Sequence, residues 1–125
     1  MAESKKTIVS NVYTKLLEAR VQFLENGVEK SGKNMHMKFR YFELEDIVPT
    51  ATRIFKNVGI VPIVNFTNEF ATLTMVNVED PADQCVFSSP FRELTGNAAV
   101  NPLQAIGAAH TYLRRYLYMI ALDIC

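Results

Sequence analysis

The apolar residues change their spacing twice along this chain, and that change limits the folds open to it. From Ile8 to Leu24 they fall in pairs, Ile8/Val9, Val12/Tyr13, Leu16/Leu17 and Phe23/Leu24, at the spacing of a helical face. Leu44, Ile47, Val48, Ala51, Ile54, Phe55 and Val58 repeat that period. The period then drops to two in Ile60–Phe66, Phe70–Val78 and Gln84–Ser89, runs rich in Val, Ile, Phe and Thr. Beyond Asn101 the helical spacing returns. The order predicts an α+β fold: an N-terminal helix, a second helix, a three-stranded antiparallel β-meander and a long C-terminal helix.

Punctuating residues set the boundaries. Thr7 or Ser4 is placed to cap the first helix and Gly27 to end it with φ > 0. Glu43, Glu45 and Asp46 suit the start of the second, Gly59 its end, and Pro49 predicts a short or kinked first turn. Thr67-Asn68 and Asp80 to Asp83 read as turns, and Pro62 suggests that the first strand is an edge or begins late. Pro90 to Val100 reads as a loop bent at Gly96, with room for a short further strand. In the third helix Asn101 caps, Pro102 takes the first position and Gln104 closes a capping box. Its expected inner face is Leu103, Ile106, His110, Leu113, Leu117, Ile120 and Ile124. Val28 to Tyr41, where Lys30, Lys33, Lys38 and Arg40 face Glu29 alone, reads as a basic connector with Gly32 and Asn34 as loop-formers.

A chain of 125 residues with 49% hydrophobic content has room for one core, taken as a single domain over residues 1–125. Thirteen basic and 13 acidic residues give a net charge of zero, so bulk charge names no partner. The charge is nonetheless polarised: residues 1–40 carry +4, residues 41–100 −5 and residues 101–125 +1. Cys85 and Cys125 are too few for a disulfide framework and are expected as thiols. Lys15, Glu18 and Arg20 interrupt any secretory segment and no apolar run has membrane-spanning length, so a cytoplasmic protein without a membrane partner is expected. The chain stops at Cys125 within an apolar helical pattern, which suggests a missing C-terminal extension.

Enzyme chemistry finds little footing. His36 and His110 lack partners at ligand spacing, Met35-His36-Met37 is a weak soft-metal motif, and neither a phosphate loop nor a dinucleotide glycine pattern occurs. No catalytic residue, metal or cofactor is expected. His110 reads as a packing histidine.

Two stretches carry a resemblance. Lys38-Phe39-Arg40-Tyr41-Phe42-Glu43-Leu44-Glu45-Asp46-Ile47, followed a helix later by Gly59-Ile60, resembles the opening signature of the Erf (essential recombination function) family of phage single-strand annealing proteins. Gln104 to Ile124, with its Gln-Ala, Gly-small-small, Thr-Tyr and Arg-Arg-Tyr pattern, is similar to that family's best-marked motif. The resemblance implies a β-β-β-α core related to Rad-type annealing proteins. It implies ATP-independent binding of single-stranded DNA, annealing to duplex, and a homo-oligomeric ring or filament in a bacterial host. A host single-stranded DNA-binding protein is a candidate partner.

The resemblance carries a DNA-contact role onto Arg114 and Arg115, and onto Gln104 and Thr111. Gln104, Ala108, Thr111 and Arg115 share a helical stripe at i, i+4, i+7 and i+11. Lys33, Lys38 and Arg40, interleaved with Phe39 and Tyr41, form a second cluster, since cations track phosphates and an aromatic stacks a base. Phe39 is expected in the core. The rival reading is a non-catalytic adaptor whose basic connector meets a neighbour's acidic strand region; a nuclease ranks third, for want of a metal-binding carboxylate pair.

Overall fold

A computed structural model describes residues 9–36, 38–91 and 102–125. These residues form three helices and two antiparallel sheets. The first helix, α1, spans Val12–Asn26 and starts later than its apolar pairs suggest. Asn11 is its cap: the Asn11 carboxamide accepts from the Tyr13 and Thr14 amides at 3.0 Å, and the Thr14 hydroxyl accepts from the Asn11 amide at 2.9 Å. Ser4 and Thr7 lie outside the described residues. Gly27 ends the helix at φ +61°, as expected.

The paired apolar positions of α1 form two stripes with different fates. Val12, Leu16, Ala19 and Phe23 enter the core, whereas Tyr13, Leu17, Val21 and Leu24 stay exposed. Lys15 is buried at 7% exposure, with its ammonium 2.6 Å from Asn77 Oδ1 and 2.5 Å from Glu79 Oε1. Asp83 completes this lock, accepting from the Val12 amide at 2.7 Å and the Asn77 carboxamide at 3.0 Å. The helix start is thereby fastened to the turn of the sheet.

The segment expected as a connector is a hairpin. Strand β1 (Gly32–Asn34) pairs antiparallel with β2 (Phe39–Tyr41), in the register Gly32↔Tyr41, Lys33↔Arg40 and Asn34↔Phe39. The Lys38 amide closes the turn onto the Asn34 carbonyl at 2.8 Å, with Lys38 itself left-handed at φ 55°. Gly32 is no loop-former: it is buried beneath Tyr41, and a Cβ there would lie 2.5 Å from that ring. Short strands with few β-branched residues leave only a weak period-two signal, which the charges obscured.

Helix α2 (Leu44–Val58) runs unbroken through Pro49 and ends at Gly59, φ +86°. Asp46 Oδ2 accepts from the Glu43 amide and from the Ser31 amide and hydroxyl at 2.8–3.0 Å, tying this helix to the base of the hairpin. Burial pushes the Asp46 pKa up, but these donors outweigh it and hold the carboxyl below its ordinary value.

Strands β3 (Ile60–Phe66), β4 (Phe70–Asn77) and β5 (Gln84–Pro90) form the expected meander, in the order β3-β4-β5. Pro62 is on an edge strand, where its missing amide costs no ladder bond. Ala71, Leu73 and Met75 of the central strand are fully buried against the helices, while Val61, Ile63 and Val86 on the opposite face are exposed. Residues 92–101, including Gly96 and the Asn101 cap, lie outside the described residues.

Helix α3 (Pro102–Leu122) packs on β4 and β5 and touches α1 and α2. Its buried face is Ala105, Ala109, Leu117, Tyr118, Ala121 and Leu122. Leu103 and Ile120, expected inside, are exposed at 81% and 51%. The alanines win the inner face because small side chains let the helix lie close to its neighbours. His110 is a packing residue, stacked on Phe66 at 4.0 Å between centroids and tilted against Phe91 at 5.4 Å.

Candidate nucleic-acid interface

Strand geometry sorts the hairpin side chains by chemistry. Residues directly opposite in an antiparallel pair share a face, and neighbours along a strand alternate. Gly32, Asn34, Phe39 and Tyr41 therefore occupy one face, and Lys33 and Arg40 the other. One side is aromatic and the other cationic. Phe39 and Tyr41 contact each other at 6.2 Å between centroids. Phe39 is 48% exposed, so it is not the core residue its sequence suggested.

The hairpin meets the C-terminal helix through Arg115. Its Nη1 donates to the Phe42 carbonyl at 3.3 Å. The guanidinium carbon lies 5.1 Å from the Tyr41 ring centroid, 5.3 Å from Tyr116 and 5.5 Å from Tyr112. Three rings thus hold one cation where α3 passes the hairpin. The Tyr41 hydroxyl pKa is raised, first by its hydrogen bond to Glu43 and next by that carboxylate's charge, with Arg115 pulling the other way. The phenol stays neutral at physiological pH and the cationic character of the site is kept. Lys30, 5.3 Å from the Phe42 ring centroid, adds a second cation at the hairpin base.

Between hairpin and helix opens a cleft of about 720 Å³. Lys33, Arg40, Tyr41 and Arg115 all line it, with Phe39, Tyr116 and Met119 among its apolar walls. Lys38 lines an adjoining hollow of about 270 Å³ that it shares with Lys33, Phe39 and Arg40. The structure therefore brings Lys33, Arg40, Tyr41 and Arg115 together, with Lys38 next to them. Gln104, Thr111 and Arg114 do not line this cleft. Thr111 donates to its own helix at the Gly107 carbonyl, 3.1 Å away, and Gln104 is exposed in the first turns of α3. Arg114 lies over Tyr118 at 5.8 Å, and its buried Nε has no hydrogen-bond partner among the described residues.

A family model described as the ERF superfamily matches residues 12–125, nearly the whole length of the chain. The chain belongs to the ERF superfamily. No curated protein and no solved structure matches it. ERF membership associates the chain in general terms with phage single-strand annealing recombination, in a family of non-catalytic proteins. Both stretches that carry the resemblance meet at the cleft: Lys38 to Ile47 supplies the second hairpin strand, and Gln104 to Ile124 supplies Arg115, Tyr116 and Met119.

Sequence reasoning missed the Phe42 carbonyl as the anchor of Arg115, and Met119 as part of the wall. The alternation Phe39-Arg40-Tyr41 was the available signal for the hairpin, since a strand sets Arg40 on the face opposite the two rings. Among the described residues no three His, Cys, Asp or Glu side chains are grouped as they would be to hold a metal ion. No helix among them is long and apolar enough to cross a membrane. Both cysteines are free thiols.

Proposed function

We propose that residues 1–125 act as one unit that binds single-stranded DNA and anneals complementary strands without ATP. It works as a homo-oligomeric ring or filament in phage homologous recombination, in the cytoplasm of a bacterial host. The observation that carries this reading is the convergence of Lys33, Arg40 and Arg115 on one aromatic-walled cleft. Cations there displace counterions from phosphates, and open walls leave base edges free to test a second strand. Annealing breaks no covalent bond, so no catalytic group or cofactor is required. The annealed duplex is the product, and a host single-stranded DNA-binding protein is a candidate partner.

Lys38 extends the cationic track. Arg114, Gln104 and Thr111 are assigned a second, weaker contact further along α3, reached by a strand leaving the cleft. Oligomerisation is supported by the exposed stripe Tyr13, Leu17, Val21 and Leu24, and by Val61, Ile63 and Val86 on the uncovered sheet face. The deciding experiment is oligonucleotide retention at low and moderate salt, followed by annealing in EDTA without nucleotide. Salt-sensitive retention and cofactor-free annealing are expected. Failure to retain DNA at low salt would favour the adaptor reading instead.

A further inference from the structure

Two features of the hairpin are costly in an isolated protein. Lys33 and Arg40 stand directly opposite each other in the register, and like charges across a ladder repel. Among the described residues neither has an ion-pair partner. On the other face Phe39 leaves 48% of its surface in water, and Met35 in the adjoining turn leaves 83%. Tyr41 is already engaged, packed over Gly32 and under Arg115. It serves as a fixed backstop for the Phe39 ring, which is thereby presented and not buried.

Resting on the proposed single-strand binding, we infer that a strand in the cleft meets the hairpin along its rim, where side chains of both faces line the same space, and contacts it with both halves of each nucleotide. Phe39, with Met35 next to it on the cleft wall, stacks on the bases of the bound strand. Lys33 and Arg40 hold its phosphates, and the anion relieves their mutual repulsion. A nucleic-acid strand is the ligand that matches both faces at once, because it alone offers a continuous anionic backbone and a row of flat apolar rings. Base contact by a ring is tolerant of sequence, since every base has a π-face. The hairpin therefore contributes affinity without specificity.

The test compares a natural oligothymidylate with an abasic oligonucleotide of equal length, in fluorescence anisotropy over a salt series. Wild type should bind the natural strand about tenfold more tightly per site than the abasic one. Phe39→Ala should erase that preference while leaving abasic affinity and the salt slope unchanged. Phe39→Leu, which keeps apolar bulk in the hairpin, should also fail to discriminate, and Phe39→Trp should restore discrimination. Lys33→Ala should flatten the salt slope on both strands. Equal wild-type affinities for the two strands, or a preference that survives Phe39→Ala, would overturn the inference while leaving single-strand binding intact. Absence of binding to either strand at low salt would overturn both.

Discussion

Replacing Arg115 by Ala removes the contact that fastens the hairpin to the C-terminal helix. The bond to the Phe42 carbonyl, long at 3.3 Å, is worth about 1 kcal/mol. The three tyrosine rings at 5.1–5.5 Å surround a half-buried cation and together add about 1 to 1.5 kcal/mol. The loss of about 2 kcal/mol should be felt locally, because a two-stranded hairpin is marginal alone and depends on such tethers. It corresponds to an opening equilibrium about 30-fold larger. Hydrogen exchange reads this directly: the Lys38 amide, bonded to the Asn34 carbonyl, should exchange about 30-fold faster, whereas the Leu73 amide in the central strand should be unchanged. DNA affinity should fall at every sequence, and a salt slope reduced by about one would report a direct phosphate contact as well. Arg115→Lys should recover only part of either effect, since an ammonium lacks the planar fork that lies against the rings. Unchanged hairpin exchange in Arg115→Ala would refute the tether, and unchanged DNA affinity would take Arg115 out of the site.

Four further outcomes are expected. Lys15→Met should lower the unfolding free energy in urea by about 1.5 kcal/mol by removing the charge-assisted bond to Asn77 Oδ1, which keeps the Glu79 amide as its remaining donor, while Glu79→Gln should shift the midpoint far less because that side chain is 76% exposed. Gly32→Ala should push Tyr41 off its seat and accelerate hairpin exchange, with NMR shifts of the Phe39 and Tyr41 rings as the check. The Asp46 carboxyl titrates below its ordinary value, so its contribution to stability is present above the unfolded pKa and is lost as pH falls through the folded one; Ser31 amide protection should hold at neutral pH and disappear on that acid limb. Light scattering at micromolar concentration should give a mass many times 14.1 kDa, and a monomer would refute the assembly.

The meander was legible almost to the residue because Ile60–Phe66, Phe70–Val78 and Gln84–Ser89 are short runs rich in Val, Ile, Phe and Thr, bounded by strong turn formers. Gly27 and Gly59 were legible as helix ends because their backbone conformation favours a residue without Cβ. The face of α3 was not. Leu103 and Ile120 outrank Ala105 and Ala109 on any hydrophobicity scale, yet closeness of approach, which alanine permits, decided what faces inward. The cleft was half legible: its cations were singled out, but residues 33–41 and 115 are joined by the path of the chain through the whole fold, which local spacing does not encode. Buried Lys15 illustrates the same limit, since its partners Asn77 and Glu79 lie more than 60 residues away.

The two walls of the cleft come from distant parts of the chain, and this has a consequence for synthesis. Arg115 and Phe42 are 73 residues apart. At ordinary translation rates roughly 4 to 15 seconds separate the making of the hairpin from the making of the helix that anchors it. During that interval the nascent chain displays a basic ribbon without its anchor, and the paired cations have no cleft to line. The cleft is therefore complete only once α3 has been made and packed, so any ligand of the proposed site finds its two walls together late in synthesis.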